Sequence, residues 1–177
     1  MMIQQDPVRV LLICLYGPES TGKSTMAKKL AQHFHTSFVP EVAREIVSTN
    51  EFTLDDIRKI GFAQNQRVKD LIPSANKVLF CDTDIITTRI YSEHYLGTAP
   101  IELDELEKEI KYDCYFLFDI DVPWVPDGMR DLSDQRPQML EKFKNALELR
   151  SIPYTWVRGP HSERETFLIK EIEKMLV

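Results

Sequence analysis

The stretch that most limits how this chain can fold is Gly17-Pro18-Glu19-Ser20-Thr21-Gly22-Lys23-Ser24-Thr25. It follows an almost continuous apolar run over residues 8–15 (VRVLLICL). Beyond it, Met26, Ala27, Leu30, Ala31 and Phe34 recur at helical spacing. A strand, then a loop spaced G-x-x-x-x-G-K-[ST], then a helix is the arrangement of a P-loop NTPase. Glycine lets the backbone approach a polyphosphate and turn its N–H groups inward. The helix that follows adds partial positive charge at its N-terminus. Lys23 is placed to reach the β- and γ-phosphates and Ser24 to offer its hydroxyl to Mg²⁺. The expected cofactors are therefore ATP and Mg²⁺, with residues 17–25 as the ATP contacts.

The rest of the chain repeats the alternation of strand and helix. Phe38-Val39-Pro40 reads as a short strand that delivers the chain into Glu41-Val42-Ala43-Arg44-Glu45. Thr53-Leu54-Asp55-Asp56 is a capping signal for a long helix stopped by Pro73, with Gly61 inside it as a point of close packing or ligand approach. Residues 77–81 (KVLFC) form a third strand ending in Asp82-Thr83-Asp84, and residues 85–96 a helix stopped by Gly97. Residues 101–111 read as an acidic, solvated helix, and residues 112–120 as a fourth strand. Residues 123–137 contain three prolines and a glycine and have the length of a lid or binding loop. A helix over 138–149, a strand over 154–157 and a terminal helix opened by a Ser162-x-x-Glu165 capping box complete the pattern. The expectation is one domain over 1–177: an α/β fold with a five-stranded, mainly parallel sheet and helices on both faces. Residues 1–7 read as a loose end.

Open α/β sheets bind ligands at the carboxyl ends of their strands, so polar residues there are the site candidates. Asp82, ending the third strand, is a metal-side carboxylate beside Ser24, or else a helix cap, as is Asp84. Glu41, after the second strand, can accept the proton of an acceptor hydroxyl, and Arg44 can hold the acceptor; the plainer alternative is a surface pair. Arg130 and Arg136 are candidates to stabilise charge on a transferring phosphoryl group from the lid, or else solvated loop arginines. Trp124 either covers a substrate ring or packs as a hydrophobic hinge. Lys23, Glu41, Asp82, Arg130 and Arg136 make up the candidate catalytic set.

Composition narrows the partners. The 177 residues carry a net charge of −6, against the basic face that nucleic acid binding requires. Cys14, Cys81 and Cys114 sit in apolar runs without metal-ligand spacing and suit a reducing compartment. With no leader-like start and no apolar stretch of membrane-spanning length, a cytoplasmic protein is expected.

The segments GPESTGKST, PEVARE, CDTDIITT and DVPWVPDGMRDLSDQR, in that order, resemble the ribosylnicotinamide kinase domain of the NadR-type NAD biosynthesis proteins. The resemblance runs from about Val10 to the end. It implies a fold similar to nucleoside and nucleotide kinases and ATP-dependent phosphorylation of the 5′-hydroxyl of nicotinamide riboside. By position it implies substrate and acid–base roles around Glu41 and Arg44, a metal-side role at Asp82, and lid arginines at Arg130 and Arg136. Asp84 and Trp124 are substrate-side candidates by their places in the chain alone, and Glu41, Asp82 and Asp84 all stand as candidates for the base. It also implies the kinase part alone, this length leaving no room for adenylyltransferase or DNA-binding domains. Pro40 and Asn65 stand where the family tends to carry aromatics; Trp124, Phe62, Tyr91 or Tyr95 could supply the face for a cationic ring instead, or nearby carboxylates could attract the cation. The alternatives are a kinase for another small alcohol or nucleotide, and a non-catalytic ATP-binding regulatory module. No oligomeric state follows from the sequence.

Overall fold

Five strands hydrogen-bond into one parallel sheet in the order β2-β3-β1-β4-β5. The computed structural model describes residues 9–177, so the loose end expected over 1–7 and the first residue of the 8–15 run lie outside the described residues. The strands are β1 (Leu11–Tyr16), β2 (Phe38–Val39), β3 (Val78–Asp82), β4 (Cys114–Phe118) and β5 (Thr155–Val157). The helices are α1 (Lys23–His33), α2 (Ala43–Ile46), α3 (Leu54–Leu71), α4 (Ile85–Leu96), α5 (Glu102–Glu109), α6 (Arg136–Leu149) and α7 (His161–Met175).

β1 lies at the centre, paired Leu15 to Asp82 on one side and Leu15 to Phe116 on the other. Its side chains alternate faces, as strand geometry requires. Ile13 and Leu15 pack with Met26 and Leu30 of α1 and Leu168 and Ile172 of α7. Cys14 and Tyr16 pack with Ile86 and Ile90 of α4 and Met139 and Phe143 of α6. Both faces are covered, so the run reads as continuously apolar. All five strands point the same way, which brings the residues after β1, β2 and β3 to one edge.

Several expectations are corrected at this level. α5 is not merely a solvated face: Leu103 and Leu106 are buried against α3 and α4. A Cβ on Gly61 would stand 2.9 Å from Leu103 Cδ2 and 3.0 Å from Leu106 Cδ1, so that glycine serves the packing of α3 on α5. The Ser162 capping box is absent. α7 starts two residues earlier, with Pro160 rather than Ser162 at the cap position and without a side-chain cap, and Glu165 pairs with Lys29 of α1 instead. Arg136 opens α6 rather than lying in the preceding loop. The expected box at Thr53 forms in both directions with Asp56.

Candidate active site

β1 ends in a backbone that no ordinary residue could follow at two points. Gly17 has φ +134° and its missing Cβ would lie 2.9 Å from the Phe118 carbonyl oxygen. Gly22 has φ +86°, and a Cβ there would meet the His161 ring at 2.7 Å. Ser20, at φ 57°, adds a further left-handed turn between them. Such sign alternation curls successive amides into an anion-binding concavity, here at the start of α1. Lys23 is buried and folds back over this loop, its Nζ donating to the Pro18 carbonyl at 2.6 Å and to Thr21 Oγ1 at 3.3 Å. Burial pushes its ammonium below the usual lysine range, against the opposing pull of Asp82 and Glu41.

Across the loop, Ser24 Oγ donates to Asp82 Oδ2 at 2.5 Å. Asp82 is 1% exposed, and its Oδ1 has no hydrogen-bond partner among the described residues. Burial, then the neighbouring Glu41 carboxylate, raise its carboxyl to about 6. An orphaned buried carboxylate oxygen beside a serine hydroxyl is a donor set for a hard divalent cation, and one that removes the orphan. No group of three His, Cys, Asp or Glu gathers among the described residues, so a cation held here would need further ligands from phosphate or water.

The loop forms one end of a cleft whose wall continues through Glu41, Arg44, Phe52, Gln64, Thr87, Tyr91, Tyr95 and Arg130. Arg44 Nε lies 3.7 Å from Glu41 Oε2, and its Nη1 is 2.6 Å from Asp127 Oδ2. Asp127 Oδ2 also meets Arg130 Nε at 3.2 Å, and Arg130 Nη1 donates to the Val125 carbonyl at 2.7 Å. Asn50 donates to the Met129 carbonyl at 2.8 Å. These contacts hold residues 127–130 against the cleft, where Met129 and Arg130 line it. At the loop end, Ser20 Oγ accepts from the Val125 amide at 2.8 Å and Glu19 Oε1 accepts from the Leu132 amide at 3.1 Å.

Phe52, Tyr91 and Tyr95 form an aromatic side of the cleft, with Phe52 edge-on to Tyr95 at 5.4 Å and Tyr91 stacked on Tyr95 at 6.5 Å. Trp124 and Phe62 do not belong to this wall: Trp124 packs in the α4–α6 core under Arg136, and Phe62 is 54% exposed on the outer side of α3. Neither does Asn65, which donates to the Leu106 carbonyl at 2.8 Å. The substrate role expected of Trp124 is corrected on this ground, and that of Asp84 on another. Asp84 Oδ1 caps α4 by accepting from the Thr87 amide at 2.9 Å, and its Oδ2 accepts from the Tyr115 hydroxyl at 2.9 Å. Both oxygens are spent inside the core. Arg136 is not free over the cleft either: it donates to the Val122 carbonyl at 2.9 Å and the Ser20 carbonyl at 3.3 Å.

A family model described as an AAA domain matches residues 12–164. The chain belongs to that family. Within it, this AAA domain is 33% identical over 147 residues to the trifunctional NAD biosynthesis/regulator protein NadR of Escherichia coli, a match covering 80% of this chain and 35% of the relative. It thus spans about a third of the length of that curated relative. A crystal structure of NadR protein in complex with NR superposes with a TM-score of 0.79 at 21% identity, covering 94% of this chain and 51% of that one. A NadR structure in complex with NAD and AMP-PNP gives 0.78 at 20% identity, covering 94% and 49%. The fold is that of these P-loop proteins.

Two residues of this AAA domain escaped the motif reading. Gln64 is 2% exposed on the cleft wall, its Oε1 accepting from the Val42 amide at 3.0 Å. Arg164 is wholly buried beneath the phosphate loop. The spacing of Arg164, Leu168 and Ile172 along one helix face was a legible signal, since a charge on an apolar stripe needs buried partners.

Proposed function

We propose that this domain is an ATP-dependent kinase that phosphorylates the 5′-hydroxyl of nicotinamide riboside, a step of NAD salvage. The observation that carries the reading is one cleft joining a phosphate cradle, an acidic pair and an aromatic wall. Lys23 and the amides of residues 17–25 hold the triphosphate. Asp82 and Ser24 would hold Mg²⁺, which when bound neutralises charge on the phosphate oxygens. Glu41, the cleft carboxylate left without a structural duty, takes the proton of the hydroxyl as its oxygen attacks the γ-phosphorus and the bond to the bridging oxygen of ADP breaks. Arg44 keeps Glu41 oriented, and Arg130 brings positive charge to the cleft from the lid over 123–137. Phe52, Tyr91 and Tyr95 offer faces to a cationic pyridinium ring, replacing the aromatics absent at Pro40 and Asn65.

Supporting this are the identity to NadR and the NR and AMP-PNP complexes of its structural neighbours. We place the domain in a reducing cytoplasm because its three cysteines are free. No helix among the described residues is long and apolar enough to cross a membrane. Mass spectrometry of reactions with ATP·Mg and a panel of ribosides tests the proposal. Nicotinamide riboside is expected to gain a phosphoryl group, with kcat falling about 10²- to 10⁴-fold in Glu41→Gln. Turnover of a different alcohol only, or undiminished turnover in Glu41→Gln, contradicts it.

A further inference from the structure

A phosphate loop works only if its peptide units face the right way, and this one is gripped from outside by two arginines. Arg164, on α7, donates from Nη1 to the Thr21 carbonyl at 2.9 Å. Its Nε donates to the Gly159 carbonyl at 2.7 Å, and its Nη2 to the Asp119 carbonyl at 3.1 Å and to the Asp121 carboxylate. Arg136, on α6, donates to the Ser20 carbonyl at 3.3 Å. The two guanidinium groups therefore hold the carbonyls of successive residues of the loop.

A trans peptide is planar, so its N–H points opposite its C=O. Holding the Ser20 and Thr21 carbonyls toward α6 and α7 turns the Thr21 and Gly22 amides toward the cradle. We propose that Arg164, seconded by Arg136, is a positioning residue that locks these two amides in the phosphate-binding orientation before nucleotide arrives. Arg164 is suited to this task by its burial and its fork. A buried charge is tolerated only when paired and hydrogen-bonded, and Arg164 meets three carbonyls and one carboxylate. Its other anchors, Asp119, Asp121 and Gly159, follow β4 and β5, so the loop's orientation is tied to the sheet edge rather than to solvent. Asp121 further accepts from the Gly159 amide at 2.7 Å, closing the bracket.

Without the clamp the loop would populate orientations that cannot bind, and apparent affinity falls by the competent fraction. A hydrogen bond to a charged group is strong enough to predict a ten- to hundredfold rise in the ATP dissociation constant. The inference rests on the ATP site of the preceding section. Calorimetric titration with ATP·Mg, with steady-state KM for the acceptor turned over best, tests it in Arg164→Gln, Arg164→Lys and Asp121→Asn. Arg164→Gln is expected to weaken ATP at least tenfold while acceptor KM stays within twofold. Asp121→Asn, which keeps the Thr21 bond, is expected to weaken ATP less than threefold. Should Arg164→Gln fail to fold, Arg164→Lys and Arg136→Lys are expected to weaken ATP threefold or more, again without moving acceptor KM. ATP binding within twofold of wild type in a folded arginine variant, or equal loss for both ligands, overturns the clamp. Wild-type protein that fails to bind ATP·Mg overturns the nucleotide site, and the clamp with it.

Discussion

Replacing Asp82 by asparagine should make the empty protein more stable and the enzyme inactive. Asp82 is held 1% exposed, with Oδ2 on Ser24 and Oδ1 unpartnered. Its carboxyl ordinarily ionises near 3.8, and burial together with Glu41 raises it to about 6 in the folded chain. Because the folded-state value lies above the unfolded one, the native state holds the proton more tightly. The contribution of this group to stability is therefore fullest below about pH 4 and is lost as pH rises to about 6. Moving a carboxyl over that span corresponds to about 3 kcal/mol at neutral pH. Asparagine carries no charge and keeps an oxygen to accept from Ser24, so Asp82→Asn should recover up to that amount. For a chain of this length the gain is roughly 6–12 °C in melting temperature. Urea unfolding at pH 4.5, 6 and 8, without metal or nucleotide, measures it. The stability gap between variant and wild type should widen from pH 4.5 to about 6 and stay level above. Adding ATP·Mg should reverse the order, stabilising wild type by mass action and the variant little. A variant less stable at pH 8, or a gap independent of pH, would refute the assignment of Asp82 as a strained, cation-ready carboxylate.

Two further outcomes test the loop and the scaffold separately. Gly22→Ala must place a Cβ 2.7 Å from the His161 ring at φ +86°, so calorimetry should find ATP binding weakened by more than tenfold. Thr53→Ala breaks the reciprocal capping box that opens α3; calorimetric melting should fall about 2–4 °C.

The parts of the fold that could be read from the sequence are those where local chemistry and global packing agree. β1 is apolar throughout because both faces are covered, and Gly97 ends α4 at φ 71° as a left-handed stop should. Reading failed where one signal hid another. In α5 the acidic residues masked Leu103 and Leu106, whose i,i+3 spacing seats the helix on Gly61. At α7 the Ser162 and Glu165 pair imitated a capping box, but the salt bridge between Glu165 and Lys29 decided the side chain's direction.

The site was legible in the same uneven way. Motif spacing located the cradle, Glu41, Arg44, Asp82 and Arg130, all of which gather at one sheet edge. It could not separate Asp82 from Asp84, two residues apart on the same strand end. With Thr83 at φ 73° between them, one carboxylate meets Ser24 of the loop and the other lies in the core, where Thr87 and Tyr115 occupy it. Nor could it say which aromatics reach the acceptor, since Phe52, Tyr91 and Tyr95 come together only when α3 and α4 pack and residues 47–53 fold across them.

The transfer proposed for this cleft moves a phosphoryl group from ATP to a riboside hydroxyl. Phosphorus-31 NMR of wild-type protein with ATP, Mg²⁺ and nicotinamide riboside tests it most directly. The predicted result is loss of the γ-phosphate resonance matched one for one by a new phosphomonoester. ATP left intact, or converted only to ADP and inorganic phosphate while the riboside is unchanged, would contradict it.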